Sequence, residues 1–180
     1  VVAALGDGVT GLAPGQLVAV RPSVICGHCE ACRAHQPDAC LTRRGIGVLR
    51  DGGFSPYTLV PARNCVRIPC GLDAEVAALT VSHEAVRTGG VKPGDRVLVL
   101  GPGIIRQGTA IFARAAGASQ VVVAGHGDAE RFAVLRKMGF NDLVDFQDTG
   151  MDAGLSPWTA RGKFDVVIEA TGAGAVVQPA

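Results

Sequence analysis

At 180 residues the chain has room for one domain or two small ones, at about 150 residues per domain. Its composition, 48% hydrophobic and 18% charged, excludes disorder as the overall state, and 17 Lys and Arg against 16 Asp and Glu leave a net charge of +1, which gives no field for nucleic acid. The longest apolar runs, such as Val121-Val122-Val123-Ala124, are too short to cross a bilayer, and no charged leader opens the chain, so it reads as cytoplasmic with no membrane partner.

Val1-Val2-Ala3-Ala4-Leu5 reads as the middle of a strand, and the chain stops soon after another one, so it is expected to be cut at both ends. Leu17-Val18-Ala19-Val20, Tyr57-Thr58-Leu59-Val60 and Cys65-Val66-Arg67-Ile68 predict further strands. Pro22, Pro37, Pro56, Pro61 and Pro69 keep these strands short. Residues 73–87 predict a helix with Asp73 as its N-cap.

Near residue 88 the period changes. Arg96-Val97-Leu98-Val99-Leu100 is continuously apolar after its first residue, the pattern of a strand buried on both faces of a parallel sheet. Residues 104–116 predict a helix with Ile104, Gly108, Ile111, Phe112 and Ala115 on one face and Gly117 as its stop. A strand at 121–124 follows, then a helix capped by Asp128 with Phe132, Leu135 and Met138 in one stripe, closed by Gly139. Strands at 143–146 and 165–169 complete an alternation that implies right-handed parallel crossovers and the start of a doubly wound sheet.

Cys26, Cys29, Cys32 and Cys40 give the spacing C-x2-C-x2-C-x7-C within one short loop that has no strand or helix period. Four thiolates so spaced can wrap a tetrahedral zinc ion, and with all four positions taken by sulfur the site is structural. Disulfides suit secreted chains, and an iron–sulfur loop favours a shorter last gap followed by proline, where Leu41 stands here. Free buried thiols are the remaining alternative. His28 and His35 share the loop but find the ligand sphere full, and Cys65 and Cys70 read as ordinary small residues in or beside a strand.

The second motif follows the strand at 96–100. Gly101-Pro102-Gly103-Ile104-Ile105-Arg106 places a Gly-x-Gly turn and a helix N-terminus where a dinucleotide's pyrophosphate binds. Arg106 stands where the third glycine belongs, so it must lean toward solvent or phosphate, or push the helix away. The acid expected on the adenosine ribose is missing, because the count from Gly101 lands on Gly125. The choice between NAD and NADP therefore stays open, with Arg131 either a 2′-phosphate contact or a solvated helix residue. The candidate cofactor residues are Gly101, Gly103, Ile104, Ile105, Arg106 and Gly125.

Together with the cysteine series, Gly52-Gly53-Phe54, Val91-Lys92-Pro93-Gly94-Asp95, Gly101-Pro102-Gly103 and Glu169-Ala170-Thr171-Gly172 make the chain resemble the zinc-dependent medium-chain alcohol dehydrogenases, in their polyol and threonine branch. The resemblance implies an α/β fold with a β-rich part: a partial GroES-like catalytic domain at 1–88, with a structural-zinc lobe at 26–40, then a partial Rossmann domain at 89–180. It also implies hydride transfer between a small-molecule secondary alcohol and NAD(P), and a homo-oligomer.

Two features depart from the family pattern. The first catalytic-zinc ligand and a Gly-His-Glu motif would precede Val1, and the Glu-Pro-Leu-Ala stretch expected after Ala77-Ala78-Leu79-Thr80 is replaced by Val81-Ser82-His83-Glu84. His83 and Glu84 read as a helix-surface pair. No catalytic residue is therefore assigned, one zinc per chain is expected, and a non-catalytic, zinc-stapled nucleotide-binding module is the alternative.

Overall fold

The computed structural model describes residues 1–172, which fall into two compact units, Val1–Ala78 and a second that begins at Leu79. In the first unit, proline-punctuated segments make only short ladders. Strand β1 (Val18–Val20) pairs antiparallel with β4 (Cys65–Arg67), and β2 (Ser23–Val24) pairs antiparallel with β3 (Arg44–Gly45). Asn64 ties the two ladders together. Its buried side-chain amide donates to the carbonyls of Arg21 at 2.8 Å and Ser23 at 2.9 Å, while its own carbonyl accepts from the Arg21 N–H. Asn64 thus satisfies three backbone groups that a break between strands would otherwise orphan.

Two predicted strands are absent. Residues 1–5 and 57–60 have suitable side chains but form no strand among the described residues. A strand exists only where a neighbour takes its backbone groups. Val2 shares just two such bonds, one to Gln16 and one from Gly15, and Tyr57 and Leu59 lie exposed.

The predicted helix at 73–87 is two helices, α2 (Ala74–Ala77) and α3 (Thr80–Thr88), and the chain divides into its units at the break. Asp73 caps the first, its carboxylate accepting the Glu75 N–H at 3.0 Å. In the cysteine loop, expected to lack periodicity, Glu30–Arg33 forms a single helical turn, α1.

The second unit is a four-stranded parallel sheet in the order β7-β6-β5-β8, built from β5 (Arg96–Leu100), β6 (Gln120–Gly125), β7 (Leu143–Asp145) and β8 (Val166–Glu169). Side chains alternate across each strand. Val97, Val99, Val121, Val123 and Ile168 pack on one face against α3, α4 (Ile104–Ala115) and α5 (Ala129–Lys137). Leu98, Leu100, Val122 and Ala124 face the other way, toward Leu155 and Trp158 of α6 (Met151–Thr159). Cover on both faces is why these strands read as unbroken apolar runs.

Helix α6 has no clear signature in the sequence, because Gly154 and Pro157 interrupt it; apolar packing against the sheet overrides their low propensity. The buried stripe of α4 is Gln107, Gly108, Thr109, Ala110 and Ala113, so Gly108 lies inward as expected whereas Ile104 is exposed. Met138 is likewise exposed while Phe132 and Leu135 are buried. Asp128 makes no capping bond; its carboxylate pairs with Arg131 at 2.8 Å instead.

Arg96 fastens the lower edge of the sheet. Its guanidinium donates to Gln120 and to the carbonyls of Trp158, Gly162 and Lys163, and it stacks over Phe164. The chain reaches β8 only after crossing from β7 to the far side of β5, so the strand order reverses between β5 and β8. In open parallel sheets the crevice at such a reversal, beyond the carboxyl ends of the strands, is where ligands bind.

Candidate functional site

The cysteine loop folds its four sulfurs to one point. The Sγ atoms of Cys26, Cys29, Cys32 and Cys40 all lie within 4.8 Å of one another, with Cys26 to Cys32 at 3.9 Å and Cys26 to Cys40 at 3.8 Å. A tetrahedron with metal–sulfur bonds of about 2.3 Å has edges of about 3.8 Å, whereas a disulfide needs about 2.05 Å. The spacing therefore fits a tetrahedral ion with four sulfur ligands.

The local backbone prepares the cage. Backbone hydrogen bonds from His28 and Cys29, the latter at 3.3 Å, hold the Cys26 thiol down to about 5. Burial and the neighbouring thiols push Cys32 up to about 12. A divalent cation would favour the thiolate at all four positions. Arg63 braces the entry to the loop by donating to the Ile25 carbonyl at 2.5 Å, and its other terminal nitrogen lies against Gly27, whose φ of +84° excludes most side chains. His28 and His35 are exposed and stand outside the sulfur cluster. Arg63 and Asn64 carried no motif in the sequence; their role becomes visible only once Ile25 and Ser23 are seen to lie beside them.

The glycine turn lies at the reversal of the sheet. Gly101 adopts φ of +97°, and its N–H donates to the Ala124 carbonyl of the neighbouring strand at 2.6 Å. The buried Gln107 side chain donates to the Pro102 carbonyl at 2.9 Å and pins the turn from beneath. Ile104 and Ile105 open α4, with Gly103 as an N-cap that has no side chain to satisfy the first N–H groups.

Gly125 ends β6 directly beside this turn, and a Cβ there would meet Pro102 Cδ at 2.6 Å and Phe132 Cζ at 3.1 Å. The missing ribose acid thus has a steric reason: the proline ring takes the space that any side chain would need. The Arg106 side chain lies along the glycine turn. It folds back so that Nε lies 3.0 Å from the Cβ position of Gly101 and Nη1 lies 3.0 Å from that of Gly103. Glu169, at the end of β8, accepts the N–H groups of Thr171 and Gly172, and the charge of Arg106 bears on its carboxylate.

Two family profiles cover most of the chain: the alcohol dehydrogenase GroES-like domain matches residues 1–70, and zinc-binding dehydrogenase matches residues 107–180. The chain is 40% identical over 172 residues to the L-galactonate-5-dehydrogenase of Escherichia coli K12, covering 93% of this chain and 50% of that one. It is 34% identical over 176 residues to the L-threonine 3-dehydrogenase of Idiomarina loihiensis, covering 95% and 51%. Among solved structures, a zinc-binding dehydrogenase from Sinorhizobium meliloti 1021 bound to NADP superposes with a TM-score of 0.67 at 34% identity, over 79% of this chain and 43% of that one. The chain belongs to the zinc-dependent medium-chain alcohol dehydrogenase family.

It spans about half the length of the curated relatives it matches. Within this chain, the β-rich first unit and the parallel second unit correspond to the GroES-like and Rossmann-like parts of the family. His83 and Glu84 lie on α3 with separate partners, His83 edge-on to the Phe112 ring and Glu84 paired with Arg87. No helix among the described residues is long and apolar enough to cross a membrane.

Proposed function

We propose that this chain is the zinc-stapled, nucleotide-binding portion of an oxidoreductase that passes hydride between a secondary alcohol and NAD(P). The supporting observation is the 40% identity to a sugar-acid dehydrogenase across 93% of the chain. The substrate class is a polyol or amino alcohol, by likeness to that relative and to the threonine enzyme.

In this reading Cys26, Cys29, Cys32 and Cys40 hold a structural zinc that fixes the loop. Gly101, Gly103, Ile104, Ile105 and Gly125 let the dinucleotide's phosphates approach the backbone, with the first N–H groups of α4 turned toward their charge. The nicotinamide supplies the hydride chemistry when bound. Gln107 keeps the turn in shape by holding the Pro102 carbonyl. The cytoplasm, where thiols stay reduced, is the matching compartment, and a homo-oligomer is the matching assembly.

A second reading, a nucleotide-binding module without turnover, draws on one observation. Among the described residues, the sulfur quartet is the only cluster with the makings of a metal site. Titration with NADH and NADPH by fluorescence, run beside an alcohol-oxidation assay, separates the two. Turnover supports the dehydrogenase and binding without turnover supports the module, whereas the absence of both overturns the nucleotide assignment.

A further inference from the structure

We infer that Arg106 is a ligand for the dinucleotide's diphosphate, a cationic grip standing where the glycine turn ordinarily carries its third glycine. This rests on the dinucleotide reading proposed above.

The second glycine of such a turn lacks a side chain so that pyrophosphate can reach the backbone. Here the Arg106 guanidinium lies along that same face, 3.0 Å from the Cβ position of Gly103 and 3.0 Å from that of Gly101. Its Nε is buried and has no hydrogen-bond partner among the described residues. A buried, unanswered donor is costly, and it signals an acceptor that arrives from outside.

The local electrostatics agree. Arg106 falls in the first turn of α4, which has no acidic residue and whose N-cap is a glycine. A cation at the positive end of a helix dipole is unfavourable on its own and favourable once an anion sits between them. The carboxylate of Glu169 feels the charge of Arg106, yet it is already engaged by the N–H groups of Thr171 and Gly172. Arg106, in the first turn after β5, and Glu169, at the end of β8, flank the sheet's reversal, where a dinucleotide crosses the strand ends. A guanidinium is planar and forked, matched to two phosphate oxygens at once, and charge-assisted bonds of that kind outweigh a loose ion pair.

The test is calorimetric titration of the full 180-residue chain and its R106Q, R106K and R106G variants with ADP-ribose and with adenosine. ADP-ribose carries the diphosphate and adenosine does not. R106Q is expected to weaken ADP-ribose about tenfold, equivalent to about 1.4 kcal/mol, while adenosine binding stays unchanged. R106K is expected to fall between the two. The salt dependence of ADP-ribose binding should become shallower in R106Q, a readout that a purely structural role would not move. Equal or tighter ADP-ribose binding by R106Q or R106G would show that the guanidinium obstructs the seat, and would overturn the inference while leaving the dinucleotide reading intact. Failure of the unmodified chain to bind ADP-ribose overturns that reading, and the inference with it.

Discussion

Gly108 of α4 and Ser82 of α3 touch so closely that a Cβ on the glycine would stand 2.5 Å from the serine Oγ and 2.9 Å from its Cβ. The serine is fully buried, and its hydroxyl donates to the Ile105 carbonyl at 2.7 Å. Helix α3 is thereby seated against the turn of α4 that follows the glycine motif. The missing side chain at Gly108 is what lets the Ser82 side chain of α3 sit directly on α4.

Substituting Gly108→Ala is therefore expected to destabilise the second unit. Overpacking costs roughly 1–3 kcal/mol, and the better helix propensity of alanine returns about 1 kcal/mol of it. Urea unfolding measures the balance. The double variant Ser82→Gly with Gly108→Ala should recover part of the loss, and a Gly108→Ala protein as stable as the parent would refute the close contact.

The cysteine loop has almost no secondary structure of its own beyond α1 and the Pro37–Ala39 turn, so its shape is expected to depend on the ion. Elemental analysis should find one zinc per chain, and a strong chelator should lower the first melting transition and expose four additional titratable thiols. Replacing the buried Cys40 by Ser should reduce zinc content and lower the same transition. Binding free energy at such sites is folding free energy, so the loss should reach several kcal/mol. Unchanged melting after metal removal, or thiols found bridged in pairs, would exclude a structural zinc.

Glu84 offers a pH test in the second unit. Hydrogen bonds from Arg87, together with its charge, hold the Glu84 carboxyl down to about 2, below its ordinary value of 4.5. A carboxyl with a depressed folded-state pKa contributes stability that is fully present above its unfolded value and is lost as pH falls through the folded one. The melting difference between the parent and Glu84→Gln should be steady above about pH 5 and vanish toward pH 2. Both side chains are more than half exposed, so the difference should be small and should shrink in high salt. A difference that grows on acidification would mean that the pair is not formed.

The legibility of the chain was uneven, for physical reasons. Val97 to Leu100 and Val121 to Ala124 announce a buried parallel sheet because burial on both faces leaves no polar positions to confuse the pattern. The sulfur spacing likewise needs no context, since four thiols on one short loop have few other ways to meet. The strands expected at 1–5 and 57–60 failed because pairing is a property of two segments, and sequence pattern reports only one. Helix α6 has no local signature because its own Leu155 and Trp158 hold it against the sheet residues Leu98, Leu100 and Val122, despite the local preferences of Gly154 and Pro157. At the glycine turn, the anomaly of Arg106 is visible from spacing alone. Its backward fold onto Gly101 and Gly103 is not.

Gly125 and Pro102 make the last test. The gap at the end of β6 invites an acidic substitution to restore the ribose contact, yet a Cβ at 125 would meet the proline ring at 2.6 Å. Gly125→Ala should therefore destabilise the second unit and distort the turn, at a cost of about 1–3 kcal/mol. Pro102→Ala alone removes ring atoms from the site of conflict and should be the milder change. Residues in contact couple by about 0.5–3 kcal/mol, so the double variant should be more stable than the two single losses added together. Thermal melting of all four proteins gives the coupling directly. Additive losses would show that the ring can swing clear, in which case Gly125→Asp becomes a workable route to an NAD-type ribose contact; a positive coupling means that any such redesign must begin with the proline.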